Sequence, residues 1–311
     1  MTAVPVSTIL YRKPDIQSLV EQGYYPVDMH LHTVHSDGLT RISDLIDYAR
    51  NNHIGVAITD HNEIGGVIEA VSGNSDLLLV PGIELETTEG PHLLVYFYTS
   101  GDLEDFYRDF NRERSRETPG LLKNLPVSAC LTLAESYDCL KIAAHPFGYY
   151  GINRGVLKCV EKNMLPGVLN HIDGIEVICG GMISGLNQKA MRYALHHPVL
   201  YTGGSDAHIL SDVGSVVTAV QADTVEEFLN GIQRRENIVI GKSSGCLQKG
   251  ATAGVIAWSF FPYTISWISA HYSFHTRKTS RILSMHQKRF SSFRHQIKED
   301  CDGLEKRGKE P

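Results

Sequence analysis

Short apolar runs alternate with helix-like segments along most of the chain. Val27–Leu31 is the first apolar run, and Ile42, Leu45, Ile46 and Ala49 follow it at the spacing of a helix. Further strands are predicted at 56–59, 77–84, 93–98, 141–144, 174–178, 200–202 and 238–240, and helices at 121–138, 155–163, 186–197 and 224–236. Repeated strand-then-helix units predict a mostly parallel α/β sheet, either doubly wound or closed into a barrel.

Histidines and carboxylates recur where the predicted strands end. They stand in the segments HLHTVHSD (30–37), TDH (59–61), GIE (82–84) with His92 beyond it, AHP (144–146) and SDAH (205–208). Alternate residues of a strand face the same side, so His30 and His32 are expected to converge on one ion. The carboxyl ends of parallel strands meet at one rim, and imidazoles mixed with carboxylates suit zinc, manganese or iron. The pattern therefore predicts a metal site at that rim.

Some neighbouring features have two interpretations each. Asp60 either orients a ligand histidine or ends its strand, whereas His35 is expected to support its turn. Arg154 is a candidate phosphate clamp or a surface arginine. The Tyr149–Tyr150 pair covers the pocket or packs within its loop. The charged segment 101–124 is predicted to be an exposed helix leading into a loop, either a lid or a solvated crossover.

The ordered series DMHLHTVHSDG, AITDH, PGIELE followed by His92, AAHP and GSDAH resembles the polymerase-and-histidinol-phosphatase (PHP) domain family. The resemblance extends over residues 26–245 and includes IEVICGG at 175–181 and the stretch 213–232. It implies a distorted (β/α)7 barrel that binds three divalent metals, often manganese, iron or zinc, and hydrolyses phosphoesters.

The resemblance also assigns ligands to the three metals. The first would be held by His30, His32, Glu84 and Asp206. The second would be held by Glu84 as a bridge, with His92 and His145, and the third by Asp37, His61 and His208. Suitable residues fill all of these positions, which implies an active enzyme. The predicted catalytic residues are Asp37, Glu84 and His208, and the predicted substrate contact is Arg154.

The composition is that of a soluble globular protein with an acidic body. Residues 1–245 carry 18 Lys and Arg against 30 Asp and Glu, which favours binding of cations and argues against broad nucleic-acid binding there. The six cysteines form no C-x-x-C pair, and the beginning of the chain has no apolar stretch long enough for a secretory signal. A cytoplasmic protein with reduced thiols is therefore expected.

Residues 246–311 differ from the predicted barrel domain (26–245) and its lead-in (1–25), and we expect a mainly helical extension. Residues 250–276 are rich in aromatic side chains and contain no Lys, Arg, Asp or Glu, whereas 275–298 carry seven basic residues and no acidic one. The segment 250–298 either packs on the barrel or on another subunit, lies on the inner face of an anionic membrane, or spans the membrane. A basic arm that guides nucleic acid is a further alternative.

Together these features predict a phosphoric ester hydrolase that uses metal-activated hydroxide. Its expected substrate is a small phosphorylated metabolite or nucleotide, and a phosphomonoesterase is favoured over a phosphodiesterase. One alternative is an exonuclease acting on short nucleic acid, which only the basic extension favours. The other is a scaffold without turnover that the extension recruits to a membrane or a partner. The complete ligand set argues against the scaffold.

Overall fold

The structure, a computed structural model, describes residues 8–74, 76–117, 124–148 and 154–243, with Gly245 and Gly254. All of them lie in the first of the two units into which the chain divides, Met1–Ala257. The Tyr149–Tyr150 pair and, apart from Gly254, the predicted extension 246–311 lie outside the described residues. Within the described residues, no helix is long and apolar enough to cross a membrane.

One sheet of ten strands runs through the described residues in the order β1-β10-β9-β2-β3-β4-β5-β6-β7-β8. The strands are β1 (Thr8–Tyr11), β2 (Tyr25–Leu31), β3 (Gly55–Ile58), β4 (Leu79–Glu86), β5 (His92–Phe97), β6 (Cys139–Ala143), β7 (Gly174–Cys179), β8 (Leu200–Gly204), β9 (Val216–Val220) and β10 (Ile238–Gly241). The α-helices are α1 (Ile16–Glu21), α2 (Ile42–Asn51), α3 (Gly65–Val71), α4 (Ser100–Glu117), α5 (Val127–Ala134), α6 (Val156–Glu161), α7 (Ser184–His196) and α8 (Val225–Gln233).

Strands β2 to β8 follow one another in space in sequence order and curl until the end of β8 returns to β2. A parallel bridge joins Leu31 to Ala207, and the Asp206 N–H donates to the His30 carbonyl at 2.7 Å. Gly204 permits this close approach, since a Cβ at that position would overlap the backbone of His30. These seven strands form the distorted (β/α)7 barrel that the sequence motifs predicted.

Two features distort the barrel. Strand β5 runs antiparallel to both β4 and β6. Strand β9 pairs antiparallel with β2 and β10, and β1 pairs parallel with β10, so that three strands extend the sheet beyond the barrel. The sequence pattern missed β1 and β9, which contain four and five residues.

Helix α4 corrects the prediction of an exposed helix over 101–124. Leu103, Phe106 and Phe110 are fully buried along one face, and the Phe106 ring lies 5.1 Å from that of Phe97 on β5. The segment is therefore a crossover helix with an apolar face against the barrel, and buried Arg114 lies over the Phe110 ring at 5.1 Å.

Candidate metal centre

The ends of six barrel strands and the loops beside them bring all nine predicted ligands into one buried cluster. The His-x-His pair of β2 alternates along the strand, so that both rings face the same side. No side chain of the cluster is more than 15% exposed. The cluster comprises His30, His32, Asp37, His61, Glu84, His92, His145, Asp206 and His208.

Glu84 lies at the centre of the cluster. Its Oε1 atom lies 2.9 Å from His92 Nδ1 and 3.1 Å from His145 Nε2. Its Oε2 atom lies 3.2 to 3.3 Å from one nitrogen each of His30, His32 and His61. One carboxylate therefore faces five imidazoles, which is the position expected of a bridging ligand.

Two further carboxylates join the remaining rings. Asp37 Oδ2 lies 3.2 Å from His208 Nε2 and 3.7 Å from His61 Nε2. Asp206 Oδ1 lies 3.2 Å from His32 Nε2. Four of the side chains present one ligand atom each within 4.8 Å of one another, a separation that one cation can bridge: His32, Asp37, His61 and His208.

Several ligand atoms of the cluster are buried without a hydrogen-bond partner among the described residues. They are His30 Nε2, both ring nitrogens of His32, His61 Nδ1 and Glu84 Oε2. Buried polar atoms are normally hydrogen-bonded, so converging lone pairs without partners need another occupant. Nitrogen and carboxylate donors mixed in this way suit divalent zinc, manganese or iron. The residues present therefore fit divalent metal ions.

Opposite charges in the cluster shift its pKa values strongly. Burial disfavours the imidazolium of His32, but Asp206, Glu84 and Asp37 outweigh burial and raise its pKa to about 10. Burial lowers the pKa of His61 to about 3. Burial would raise the pKa of the Glu84 carboxyl, but the surrounding imidazoles hold it well below its ordinary value. Without metal, the cluster is held together by protons that a cation would displace.

Glu176 supports the cluster and was missed by the sequence analysis. Its carboxylate lies 3.0 Å from His30 Nδ1 and accepts the backbone N–H of His145 at 2.7 Å. His145 has a φ of 27°, a conformation that non-glycine residues rarely adopt and that tends to occur at functional sites. The signal that could have identified Glu176 is a fully buried charge in the middle of the apolar strand β7.

The turn that carries Asp37 is held by two residues outside the cluster. Asp60 accepts hydrogen bonds from the Thr33 N–H and hydroxyl, both at 2.7 Å, and from the Ser36 hydroxyl. Its carboxylate therefore binds the turn and not a ligand histidine. His35 Nε2 lies 2.9 Å from Glu69 on α3, away from the cluster.

Arg154 has an exposed side chain, and its backbone lies beside the cluster. Its carbonyl accepts the N–H of His92 at 3.3 Å. The arginine thus belongs to the edge of the candidate site. Its role as a phosphate clamp stays a prediction.

Known proteins resemble this chain in part of its sequence and in its fold. A family model described as PHP-associated matches residues 185–237, which include Asp206 and His208. No curated protein matches the chain. The fold is similar to that of a lesion-specific endonuclease from Pyrococcus furiosus, with a TM-score of 0.54 and 18% identity over 70% of this chain and 57% of the other.

Two further solved structures have a similar fold. One is endonuclease Q in complex with a 27-mer duplex substrate with an abasic lesion at the active site, with a TM-score of 0.53 and 18% identity over 68% of this chain and 56% of the other. The other is a two-domain Bacteroides vulgatus protein that contains a predicted PHP-like metal-dependent phosphoesterase. Its TM-score is 0.52, with 15% identity over 76% of this chain and 69% of that one. At these identities the likeness establishes the fold.

The fold and the cluster together define a (β/α)7 barrel whose rim is built to bind divalent metal ions. The PHP-associated match covers residues 185–237, and the shared fold agrees with the barrel that the motifs predicted.

Proposed function

We propose that this protein is a metal-dependent phosphoesterase that hydrolyses a small phosphorylated metabolite or nucleotide. One observation carries the proposal: five buried ligand atoms converge around Glu84 without hydrogen-bond partners among the described residues. Such a cluster is costly to bury unless cations occupy it. The shared fold with a protein that contains a predicted PHP-like metal-dependent phosphoesterase supports the reaction class.

The proposed ligand sets follow the motifs. His30, His32, Glu84 and Asp206 would hold one metal, and Glu84 would be shared with a second held by His92 and His145. A third would be held by Asp37, His61 and His208, next to the first set through the ring of His32. When bound, divalent metals lower the pKa of water towards neutrality and neutralise charge on phosphate oxygens.

The chain itself would orient the ligands. Glu176 fixes the ring of His30 through Nδ1, which leaves Nε2 directed at Glu84 and Asp206. His208 Nε2 and Asp37 Oδ2 lie 3.2 Å apart at the edge of the cluster, where both atoms would be available to the third metal. Arg154 would contact the phosphate of the substrate from the neighbouring loop.

A phosphomonoester is the favoured substrate because residues 1–245 are acidic, which disfavours a long polyanion such as nucleic acid. The alternative is a nuclease that acts on short nucleic acid. It is favoured by the shared fold with an endonuclease in complex with a 27-mer duplex substrate, and by the basic residues at 275–298. A scaffold without turnover is the third alternative.

Hydrolysis of two aryl phosphates by the manganese-loaded protein tests the proposal. We expect hydrolysis of p-nitrophenyl phosphate, slower hydrolysis of bis-p-nitrophenyl phosphate, and loss of both with a chelator or in the double variant H30A/H32A. His171→Ala is the matched control, because His171 is exposed and bonds to Glu135 outside the cluster. Unchanged hydrolysis by H30A/H32A would exclude the proposed site, and faster hydrolysis of the diester would favour the nuclease.

A panel of phosphorylated metabolites and a short single-stranded oligonucleotide would then identify the substrate class. If the protein binds metal but hydrolyses none of these compounds, the scaffold without turnover is favoured.

A further inference from the structure

A second cavity, of about 630 Å³, lies beside the outer strands of the sheet, and none of the nine cluster residues lines it. It is formed by the segment after β1, by helix α2, by the loop 211–215 and by the residues after β10. Its volume lies within the usual range for pockets that bind small molecules.

The charge of this cavity is opposite to that of the body around it. Two lysines, Lys13 and Lys242, line it, and none of its described lining residues is acidic, although residues 1–245 carry more acidic than basic side chains. Within the described part of the chain, neither lysine forms an ion pair. By contrast, Lys141 lies 3.0 Å from Asp173, and Lys189 lies 2.7 Å from Glu161.

Hydroxyl groups also line the cavity, on Ser211, Ser215 and Ser243. Ser211 is exposed, so a ligand can reach its hydroxyl, whereas the Ser215 Oγ atom is buried and belongs to the wall. Two ammonium groups and several hydroxyls are donors that suit a phosphate group.

The wall of the cavity is held in place before any ligand arrives. Ser243 Oγ lies 2.8 Å from the Tyr11 hydroxyl and accepts a hydrogen bond from Asn187. The Tyr48 hydroxyl donates to the Val213 carbonyl at 3.2 Å. A preformed wall lowers the entropic cost of binding.

Apolar side chains provide the rest of the lining. Ile16, Ile54 and Val213 line the cavity together with Tyr48. These groups can pack against the organic part of a ligand whose charged end is held by the lysines. A bare inorganic ion would leave this surface uncovered.

From this arrangement we infer a second ligand site, which binds the phosphate group of a small phosphorylated molecule through Lys13, Lys242 and the exposed Ser211. The site is separate from the metal centre and needs no hydrolysis, so it stands independently of the proposed function.

Titration of the zinc-loaded full chain with inorganic phosphate, followed by backbone amide chemical shifts, tests this site. Residue-resolved shifts separate it from phosphate that binds at the metal centre. We expect saturable shifts at the amides of Ser211 and Ser215, with affinity at least tenfold weaker in K13Q/K242Q. The matched control K162Q/R234Q removes two exposed positive charges elsewhere and should bind as the wild type does.

Absent or non-saturating shifts at these amides, or equal affinity in K13Q/K242Q, would overturn the inference. Should the thermal midpoint of the double variant fall, the single variants K13Q and K242Q replace it. Each is then expected to weaken binding at least threefold, and wild-type affinity in both would equally overturn the inference.

Discussion

Two carboxylates, Asp28 and Glu84, are completely buried near the rim of the barrel, but their surroundings differ. Asp28 accepts the backbone N–H groups of Ser205 at 2.8 Å, Gly214 at 2.8 Å and His30 at 3.3 Å. Both of its oxygens are thus used by the backbone. Glu84 faces five imidazoles, and its Oε2 has no hydrogen-bond partner among the described residues.

The difference separates a structural acid from a functional one. The Asp28 network joins β2 to the loops after β8 and before β9 and is complete without any ligand. The Glu84 cluster presents several lone pairs to the same space and is complete only when cations or protons are shared between them. Burial and charge alone would not have distinguished the two acids, whereas the partners of each oxygen do.

The largest effect is expected from Glu84→Gln. The amide keeps the shape of the side chain but removes the charge that would be shared between two metals. We expect hydrolysis of an aryl phosphate to fall by roughly 10³-fold, together with a lower metal content by elemental analysis. Glu135→Gln is the matched control, since Glu135 is exposed and bonds to His171 outside the cluster. Activity of E84Q within tenfold of the wild type would contradict a bridging role.

Asp28→Ala should change stability and leave metal binding intact. Three backbone N–H groups would lose their acceptor in the interior, which we expect to lower the free energy of unfolding by about 3 kcal/mol. Denaturant unfolding of the metal-free chain measures this change. A variant that keeps its stability but loses its metal would reverse the roles assigned to the two acids.

Glu176→Gln is expected to have an intermediate effect on the cluster. Without the carboxylate, the ring of His30 loses basicity and its fixed orientation, and such partners of metal ligands contribute roughly 10- to 100-fold to metal affinity. Competition with a chromogenic chelator measures the affinity. Wild-type affinity in E176Q would show that the hydrogen bond to His30 Nδ1 does not position the ligand.

The smallest effect is expected in the proton balance of metal binding. The neighbouring carboxylates raise the pKa of His32 to about 10, so this ring carries a proton at pH 8, whereas His61, with a pKa lowered to about 3, carries none. Metal must displace the proton of His32, and affinity should therefore rise with pH between 7 and 9. Calorimetry in buffers of different ionisation enthalpy should detect release of about one proton or more. Binding without proton release would contradict this account of the metal-free cluster.

The sequence predicted the ligands well because strand geometry constrains them. His30 and His32 alternate on one strand, and the residues after the other parallel strands must meet at the same rim. The ordered motifs then distinguished the metal ligands from neighbouring polar residues. All nine predicted ligands lie in one cluster.

The supporting residues could not be predicted in the same way. Glu176 lies on a strand that is far from His30 in sequence. The hydrogen bond between the two side chains depends on the closure of the barrel, which the sequence pattern does not specify. Strand β9 was missed because no α-helix separates it from β8, so the strand-then-helix alternation did not predict it. The apolar face of α4 was hidden among charged residues, since three buried apolar positions in an 18-residue helix stand out only by their spacing.

Anomalous diffraction from crystals grown with manganese tests the central claim most directly, that the cluster around Glu84 binds several divalent cations. The account predicts more than one manganese peak at the rim, at least two of them within coordination distance of the Glu84 carboxylate. A map with no manganese peak in contact with Glu84 would contradict it, whether or not manganese peaks occur elsewhere.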